Sequence, residues 1–449
     1  MSKPNPNTHR GAELLLTIWA VAIGLGGYIS VSLATVGSLP PGAILFTFVL
    51  LAFAGSAHFM VRRLAPYADP VLLPLVVVLN ALGLVMIHRI DIARDTTLAN
   101  NQFAWTILGI VAFIAVLHFV RDHRALQAMT YTFGVLGLLL LMLPLIPGLG
   151  VEIYGARIWI GIGPFSFQPG EMAKIALAIF FAGYLVQTRD ALTLAGRRVL
   201  GIDLPRARDL GPILVAWGAS MAVLVLQRDL GSSLLLFGLF VVMLYIATER
   251  VSWLILGGVM FAGGAYVAYL LFGHVQRRVD AWLDPFSDPD ANYQLISALY
   301  GMAHGGIFGR GLGQGAPYLT PVSYSDFIAT SFAEELGLAG FMAILLIYAL
   351  IVERGFRIAL TCRDNFGKLL AAGLAASIGL QVFVVVGGVT GLIPSTGLTT
   401  PFMSHGGSSI LANWMIIALL LRISDRNRRP DPEVQAFDRD EPTQVVRAV

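Results

Sequence analysis

The stretch AELLLTIWAVAIGLGGYISVSLATV, residues 12–36, decides the fold: it is 25 residues long and Glu13 is its one charged side chain. Crossing a bilayer takes about 20 consecutive, mostly apolar residues, so this run predicts a membrane helix. From Leu14 to Val36 it is too long for the apolar region of a signal peptide, and no clean A-x-A cleavage site follows. It is therefore expected to stay as the first helix.

Comparable runs recur near 42–61, 70–88, 102–120, 128–147, 171–187, 210–227, 231–247, 251–272, 327–352, 369–391 and 408–423. Together they predict an all-α, polytopic membrane bundle of about 12 transmembrane helices. Composition agrees, since 56% of the 449 residues are hydrophobic and 13% charged, against about 25% charged in soluble domains. A net charge of +3 with no concentrated basic patch in an extramembrane domain argues against nucleic acid as a partner. Cys362 is the only cysteine, which excludes an intramolecular disulfide, and no Cys/His cluster shows metal-ligand spacing.

Alternate loops concentrate arginine: Arg62 and Arg63; Arg121 and Arg124; Arg189, Arg197, Arg198, Arg206 and Arg208; Arg354, Arg357, Arg363 and Lys368. Positive charge in short loops marks the cytoplasmic side. The end of the chain adds Arg422, Arg426, Arg428 and Arg429, so both termini are expected in the cytoplasm of a plasma-membrane protein. The predicted organisation is a cytoplasmic N-terminus (1–11), a helix pair (12–66), a transmembrane core (67–424) with an extracellular loop (273–326), and a disordered cytoplasmic tail (425–449).

Outward segments rich in Gly, Pro, aromatic and ionisable residues are where chemistry is expected: 148–174, 227–233, 273–326 and 391–409. Asp326 stands where a polar loop meets an apolar helix. It reads either as a helix cap or as a general base whose pKa is held up by burial. Glu334 and Glu335 lie about two turns further in, where ionised groups face a protein interior. Glu171 and Lys174, three apart, share a helix face and can pair; with Arg157 they could alternatively meet an anionic phosphate. Asp229 sits at a turn and could partner one of these cations. The glycines from Gly305 to Gly315 lack any phosphate-loop spacing and predict a flexible or close-packed outer segment. No internal repeat is evident, which weakens a transporter reading.

These motifs resemble the SEDS membrane proteins (shape, elongation, division and sporulation) of the RodA and FtsW type, over about residues 70–424. In order they are GARIWIGIGPFSFQPGEMAK, QRDLGSS, LDPFSDPDANYQLISAL with GGIFGRGLGQG, SDFIATSFAEELG, and GLIPSTGLTTPFMSHGGSS. The resemblance implies a ten-helix core, with the first two runs an added pair, and a peptidoglycan glycosyltransferase that polymerises lipid II at the outer membrane face. It implies Asp326 as the general base, matching the Asp of the family's T-D-F-I-F, and substrate contacts by Arg157, Glu171, Lys174, Asp229, Tyr293, Gln294, Ser297, Glu334, Glu335 and Ser404. It further implies a class B penicillin-binding protein (transpeptidase) as partner, along with other elongation-complex membrane proteins. No nucleotide cofactor is called for, and a divalent cation, Mg or Mn, is the one candidate cofactor. The extra N-terminal pair and the GLTTPFMSHGGSS form favour an elongation and cell-shape role over division. This sequence departs from the family pattern at Arg228 in QRDLG, Gly170 in QPGE, Ser325 before the base and His304 before Gly305-Gly306; no L-P-E precedes Asp326. Competing readings are a lipid II flippase, a secondary transporter with a midplane site, and a scaffold without chemistry.

Overall fold

A computed structural model describes residues 6–40, 42–153, 155–162, 165–193, 197–199, 202–204, 215, 217–219, 221–223 and 225–430. Its helices are α1 (Pro6–Thr35), α2 (Ala43–Leu64), α3 (Leu72–Arg94), α4 (Leu98–Phe119), α5 (Arg124–Ala128), α6 (Thr130–Met142) and α7 (Pro169–Thr193). They continue as α8 (Leu230–Thr248), α9 (Ser252–Leu271), α10 (Gly273–Leu283), α11 (Tyr293–Gly305), α12 (Ile328–Thr361), α13 (Asn365–Val389) and α14 (Gly407–Arg428). Among the described residues, ten helices are long and apolar enough to cross a membrane, and Thr130–Leu145 is a shorter apolar one. The run near 210–227 lies largely outside the described residues. The expected count of about 12 is therefore met approximately.

Burial sorts these helices into layers. In α3, α7 and α14, 83% of the best apolar window is buried, and in α13 78%, whereas in α9 it is 6%. Apolar side chains all round a helix cost nothing when lipid is the solvent, so burial here reports protein packing rather than hydropathy. The inner helices approach closely where small residues meet, as Gly355 of α12 does against Ala375 of α13. Glu13, the one charge in the opening run, is buried and paired: it bonds Arg10 and lies 2.7 Å from His58 Nδ1, while the Arg10 guanidinium reaches the Pro66 and Ala68 carbonyls. That cluster ties α1 and α2 to the entrance of α3.

Two features depart from a bundle of helices and loops. The segment 148–167 contains an antiparallel sheet, β1 (Gly150–Ile153), β2 (Ala156–Ile162) and β3 (Phe165–Phe167), with Gly150 opposite Ile160 and Ile160 opposite Phe167. Its β-branched and aromatic residues suit a pleated, half-buried surface. Strands Arg197–Val199 (β4) and Ile202–Leu204 (β5) form a second hairpin. Within the 273–326 loop, α10, α11 and a short turn of helix at Pro317–Leu319 supply order that apolar-run counting does not detect.

The glycine series takes the close-packed form. Helix α12 is broken at Gly337 (φ 68°, ψ −174°), and the chain from Gly306 to Gly311 fills the break. Arg310 and Gly311 N–H donate to the Glu334 and Glu335 carbonyls (3.1 and 2.9 Å), and Leu338 and Ala339 N–H donate to Gly306 and Ile307 (2.9 and 3.0 Å). Backbone groups freed by a kink at membrane depth must find partners inside the protein. Here the loop supplies them.

Helix α12 also fixes which groups share an end. Its 34 residues span roughly 50 Å at 1.5 Å per residue, so Asp326 before it and Asp364 after it lie at opposite ends. The arginine-rich turns gather at the Asp364 end, where Asp69 receives Arg428 (2.7 Å) and Arg354 (3.7 Å). The side chains of Arg197, Arg198, Arg206 and Arg208 and the tail from 431 onward lie outside the described residues.

Candidate active site

Asp326 is partly buried at the start of α12. The residue in the cap position is Phe327, which makes no side-chain cap bond, so the helix-cap reading of Asp326 is not what the structure adopts. Ser325 Oγ lies 3.1 Å from both Asp326 Oδ1 and the His405 carbonyl oxygen, and its single proton is divided between them. Burial pushes the Asp326 carboxyl up to about 6; the Ser325 hydroxyl and the Arg278 guanidinium pull it down, and Asp229 pushes it up.

Arg278 approaches Asp326 from α10, with Gly397 between them. Its Nη1 donates to the Ser395 carbonyl (3.0 Å), and Trp282, one turn along, donates to the Gly391 carbonyl (2.8 Å). These bonds lay α10 against the 391–406 segment. Gly397, in the left-handed region at φ 75°, lies between the charges: a Cβ there would be 3.7 Å from both an Arg278 Nη2 and Asp326 Oδ2. Burial lowers the Arg278 pKa, and the two carboxylates Asp229 and Asp326 hold it up.

Asp229 caps α8, accepting from Ser232 N–H at 2.9 Å, so it takes both readings at once, turn residue and charged neighbour of the site. Burial raises its pKa, opposed by Ser232 and Arg278 and reinforced by Glu171. Gly231 packs on Leu398 and the Thr396 carbonyl, which brings this helix start to the turn that flanks Asp326. Arg228 adopts φ 61°, a value closed to the proline of the family pattern.

Behind Asp229, Lys174 and Glu171 form a buried ion pair at 2.9 Å, and Lys174 also donates to Gln381 Oε1 at 2.8 Å. Gln381 donates in turn to the Thr399 carbonyl at 2.9 Å. Arg157 lies on β2 with its side chain exposed, and its N–H donates to the Gln227 carbonyl (3.3 Å), beside the Asp229 turn. Ser404 is buried; its Oγ donates to the Ser325 carbonyl and accepts from Thr400 N–H, each at 2.7 Å. It thereby supports the backbone next to Asp326.

The remaining expected contacts fall elsewhere. Glu335 is bonded to Arg89 Nε (3.1 Å) and Gly313 N–H (2.9 Å), and Glu334 accepts from Ala316 N–H (2.6 Å). Both hold the glycine loop rather than meeting Asp326. Tyr293, Gln294 and Ser297 lie on α11, with Tyr293 exposed and Ser297 Oγ donating to the Gln294 carbonyl; no polar contact joins them to Asp326 among the described residues. Sequence reasoning did not single out Arg278, Gln381 or Arg89. The closeness of Arg278 to LDPF was the available signal.

Such a cluster can take a proton from a neutral nucleophile and offer positive charge to an anion. The family model described as cell cycle protein (FtsW, RodA and SpoVE) matches residues 70–429. Peptidoglycan glycosyltransferase RodA of Mycobacterium tuberculosis (strain H37Rv) is 49% identical over 431 residues, 94% of this chain and 92% of that one. RodA of Mycobacterium leprae is 46% identical over the same shares. A chain from the solved structure "Structural coordination of polymerization and crosslinking by a peptidoglycan synthase complex" is 30% identical, with a TM-score of 0.66 over 81% of this chain and 99% of that chain.

Proposed function

The chain belongs to the FtsW, RodA and SpoVE family, and from that premise we propose that it polymerises lipid II with Asp326 as general base. It is a multi-pass membrane peptidoglycan glycosyltransferase. The single observation that carries the role of Asp326 is its setting: a carboxyl bonded by Ser325 Oγ, across Gly397 from Arg278, with no side-chain cap bond at the start of the helix it precedes; burial there raises its pKa. A base works best with a pKa near the working pH.

In the proposed reaction Asp326 takes the proton of the acceptor GlcNAc 4-hydroxyl as its oxygen attacks the donor MurNAc anomeric carbon. The bond to the diphosphate oxygen breaks with inversion, and undecaprenyl diphosphate leaves with the bonding electrons. Arg278 is next to the base, and the diphosphate is assigned to Arg157, exposed on β2; guanidinium forks suit phosphate oxygens. The Lys174–Glu171 pair and Gln381 position the turn from the inside. Mg or Mn would have to compete with Arg278 for Asp229 and Asp326, so any divalent-ion requirement is assigned to the substrate diphosphate.

Identity with the RodA proteins supports a role in elongation and cell shape, and the match beginning at residue 70 supports reading 12–66 as an added pair on the core. The arginine-rich end is placed in the cytoplasm, with both termini there and Asp326 outside. A class B penicillin-binding protein is the proposed partner; the similarity to a complex that couples polymerisation with crosslinking supports it.

Glycan polymerisation from lipid II, measured with the transpeptidase partner present, tests the role of Asp326. Asp326→Asn should reduce the rate by at least about 100-fold at unchanged folding and complex formation. Equal polymer from both proteins would remove Asp326 as base, and none from either would return weight to the flippase or scaffold.

A further inference from the structure

The break at Gly337 means that the first piece of α12, from Ile328 to Leu336, is not held in line by the rest of the helix. Asp326 stands just before that piece, so its placement depends on what touches the half-helix from the side. Glu335 accepts from Gly313 N–H (2.9 Å) and from Arg89 Nε of α3 (3.1 Å), and Glu334 accepts from Ala316 N–H (2.6 Å). Arg89 also donates to the Gly315 carbonyl (2.8 Å), and Arg94, further along α3, donates to the carbonyls of Tyr318 (2.6 Å) and Thr320 (2.9 Å). Glycine loop and half-helix therefore form one unit, and the loop runs on to Asp326.

The far side of that loop rests on α1. A Cβ on Gly313 would come within 2.8 Å of the Ala34 Cβ and 3.1 Å of the Val31 carbonyl oxygen, so loop and helix meet there with no side chain between them. Leu312 packs into a cluster of Tyr28 and Val31 on α1, Val85 on α3, and Ala43 and Phe46 on α2, with the Tyr28 and Phe46 rings stacked at 4.3 Å. Helix α1 is itself firmly seated. Gly24, Gly27 and Val31 share one helix face, and the two glycines lie against Ala81 and Val85 of α3, the close small-residue approach that fixes helix pairs in lipid. At the other end of α1, the Arg10, Glu13 and His58 cluster ties it to α2 and to the entrance of α3.

We propose that α1 positions the reacting end of the molecule: Val31, through Leu312 and Gly313, holds the half-helix 328–336, and with it the Asp326 carboxyl, in the place the transfer reaction needs. The inference rests on the reading of Asp326 as base. Both α1 and α2 precede residue 70, where the family match begins, so this support comes from outside the matched core. Val31 touches no reacting group, and its effect is on geometry. Misplacing a catalytic group by about 1 Å lowers the rate of the bound complex by up to about 100-fold.

Two substitutions of one kind separate positioning from stability. Val31 and Val61 are both 0% exposed, and Val61 lies near the end of α2, on the side away from the loop. In polymerisation of lipid II by the full chain with its transpeptidase partner, Val31→Ala should lower kcat by about tenfold with KM changed by less than about twofold. Val61→Ala should leave both unchanged, although it removes the same methyl groups. Hydrogen exchange should speed across 306–316 in Val31→Ala and not in Val61→Ala. Leu312→Ala, at a half-buried position, carries the same test if Val31→Ala does not fold, and the double variant should be no slower than the slower single one, because both act through one contact. An unchanged kcat in Val31→Ala, equal losses in the two valine variants, or unchanged exchange across 306–316 would overturn the proposal. The base reading fails separately: Asp326→Asn polymerising at the wild-type rate would remove it, whereas exchange across 306–316 reads the seat of the loop on α1 directly.

Discussion

At the scale of single residues, the chemistry rests on a carboxyl that the fold keeps uncomfortable. Asp326 loses water on burial, and the Ser325 proton and Arg278 return only part of what hydration provided. The polymerisation rate should therefore fall about tenfold per pH unit below about 6. Removing Arg278 takes away a group that favours the ionised form, so Arg278→Gln should move this acidic limb upward by roughly one pH unit; a limb that stays put would separate Arg278 from the base. The same shift carries a stability consequence. The folded carboxyl titrates above its ordinary value of 3.8, so ionisation opposes folding, fully above about 6 and not at all below the ordinary value. Asp326→Asn should raise the melting temperature at neutral pH, with the gain disappearing under acid. Arg89 and Glu335 show the opposite arrangement, a buried pair with partners on both sides. Either one alone replaced by Ala should cost about 3–5 kcal/mol, because an uncompensated charge is left buried; the double replacement, read by thermal melting, should cost less than the sum.

At the scale of elements, the break in α12 joins fold to site. Gly309 has φ 82°, and a Cβ on it would come within 2.3 Å of the Glu335 carbonyl oxygen. Both the backbone angle and the contact exclude a side chain. Gly309→Ala should destabilise by about 2–4 kcal/mol and speed hydrogen exchange at residues 306–313, whereas Gly306→Ala, which meets nothing within 4 Å, pays only for its positive φ. Equal effects of the two would show that packing against the kink is not what matters. The runs of apolar residues announced α12 and its neighbours, since length and hydropathy suffice for a spanning helix. They did not announce the kink or α10, whose partners lie further along the chain, nor the outer sheet, whose short local strands contain no run of spanning length.

At the scale of the whole molecule, charge separates the two ends: arginines gather at one, and Asp229, Arg278 and Asp326 at the other. Reporter fusions at Met1 and at Val449 should both report the cytoplasmic side, and a reporter inserted near Asp288 the outer side; any other pattern would reverse the placement of the active end. Asp326, Glu171, Lys174 and Asp229 were legible as candidates because each stands as an ionisable residue where a polar stretch enters an apolar run. By itself the sequence determined the membrane class, the approximate number and place of the spans, the arginine-rich end and the family, because hydropathy and motif order are local properties of the chain. Only tertiary structure decided that Arg278 stands beside Asp326, that Glu334 and Glu335 serve the glycine loop, and that α1 bears on Gly313. Those pairings join residues up to hundreds of positions apart, and they are set by which helix faces pack together once lipid, indifferent to apolar surface, has left small-residue contacts and buried polar groups to choose.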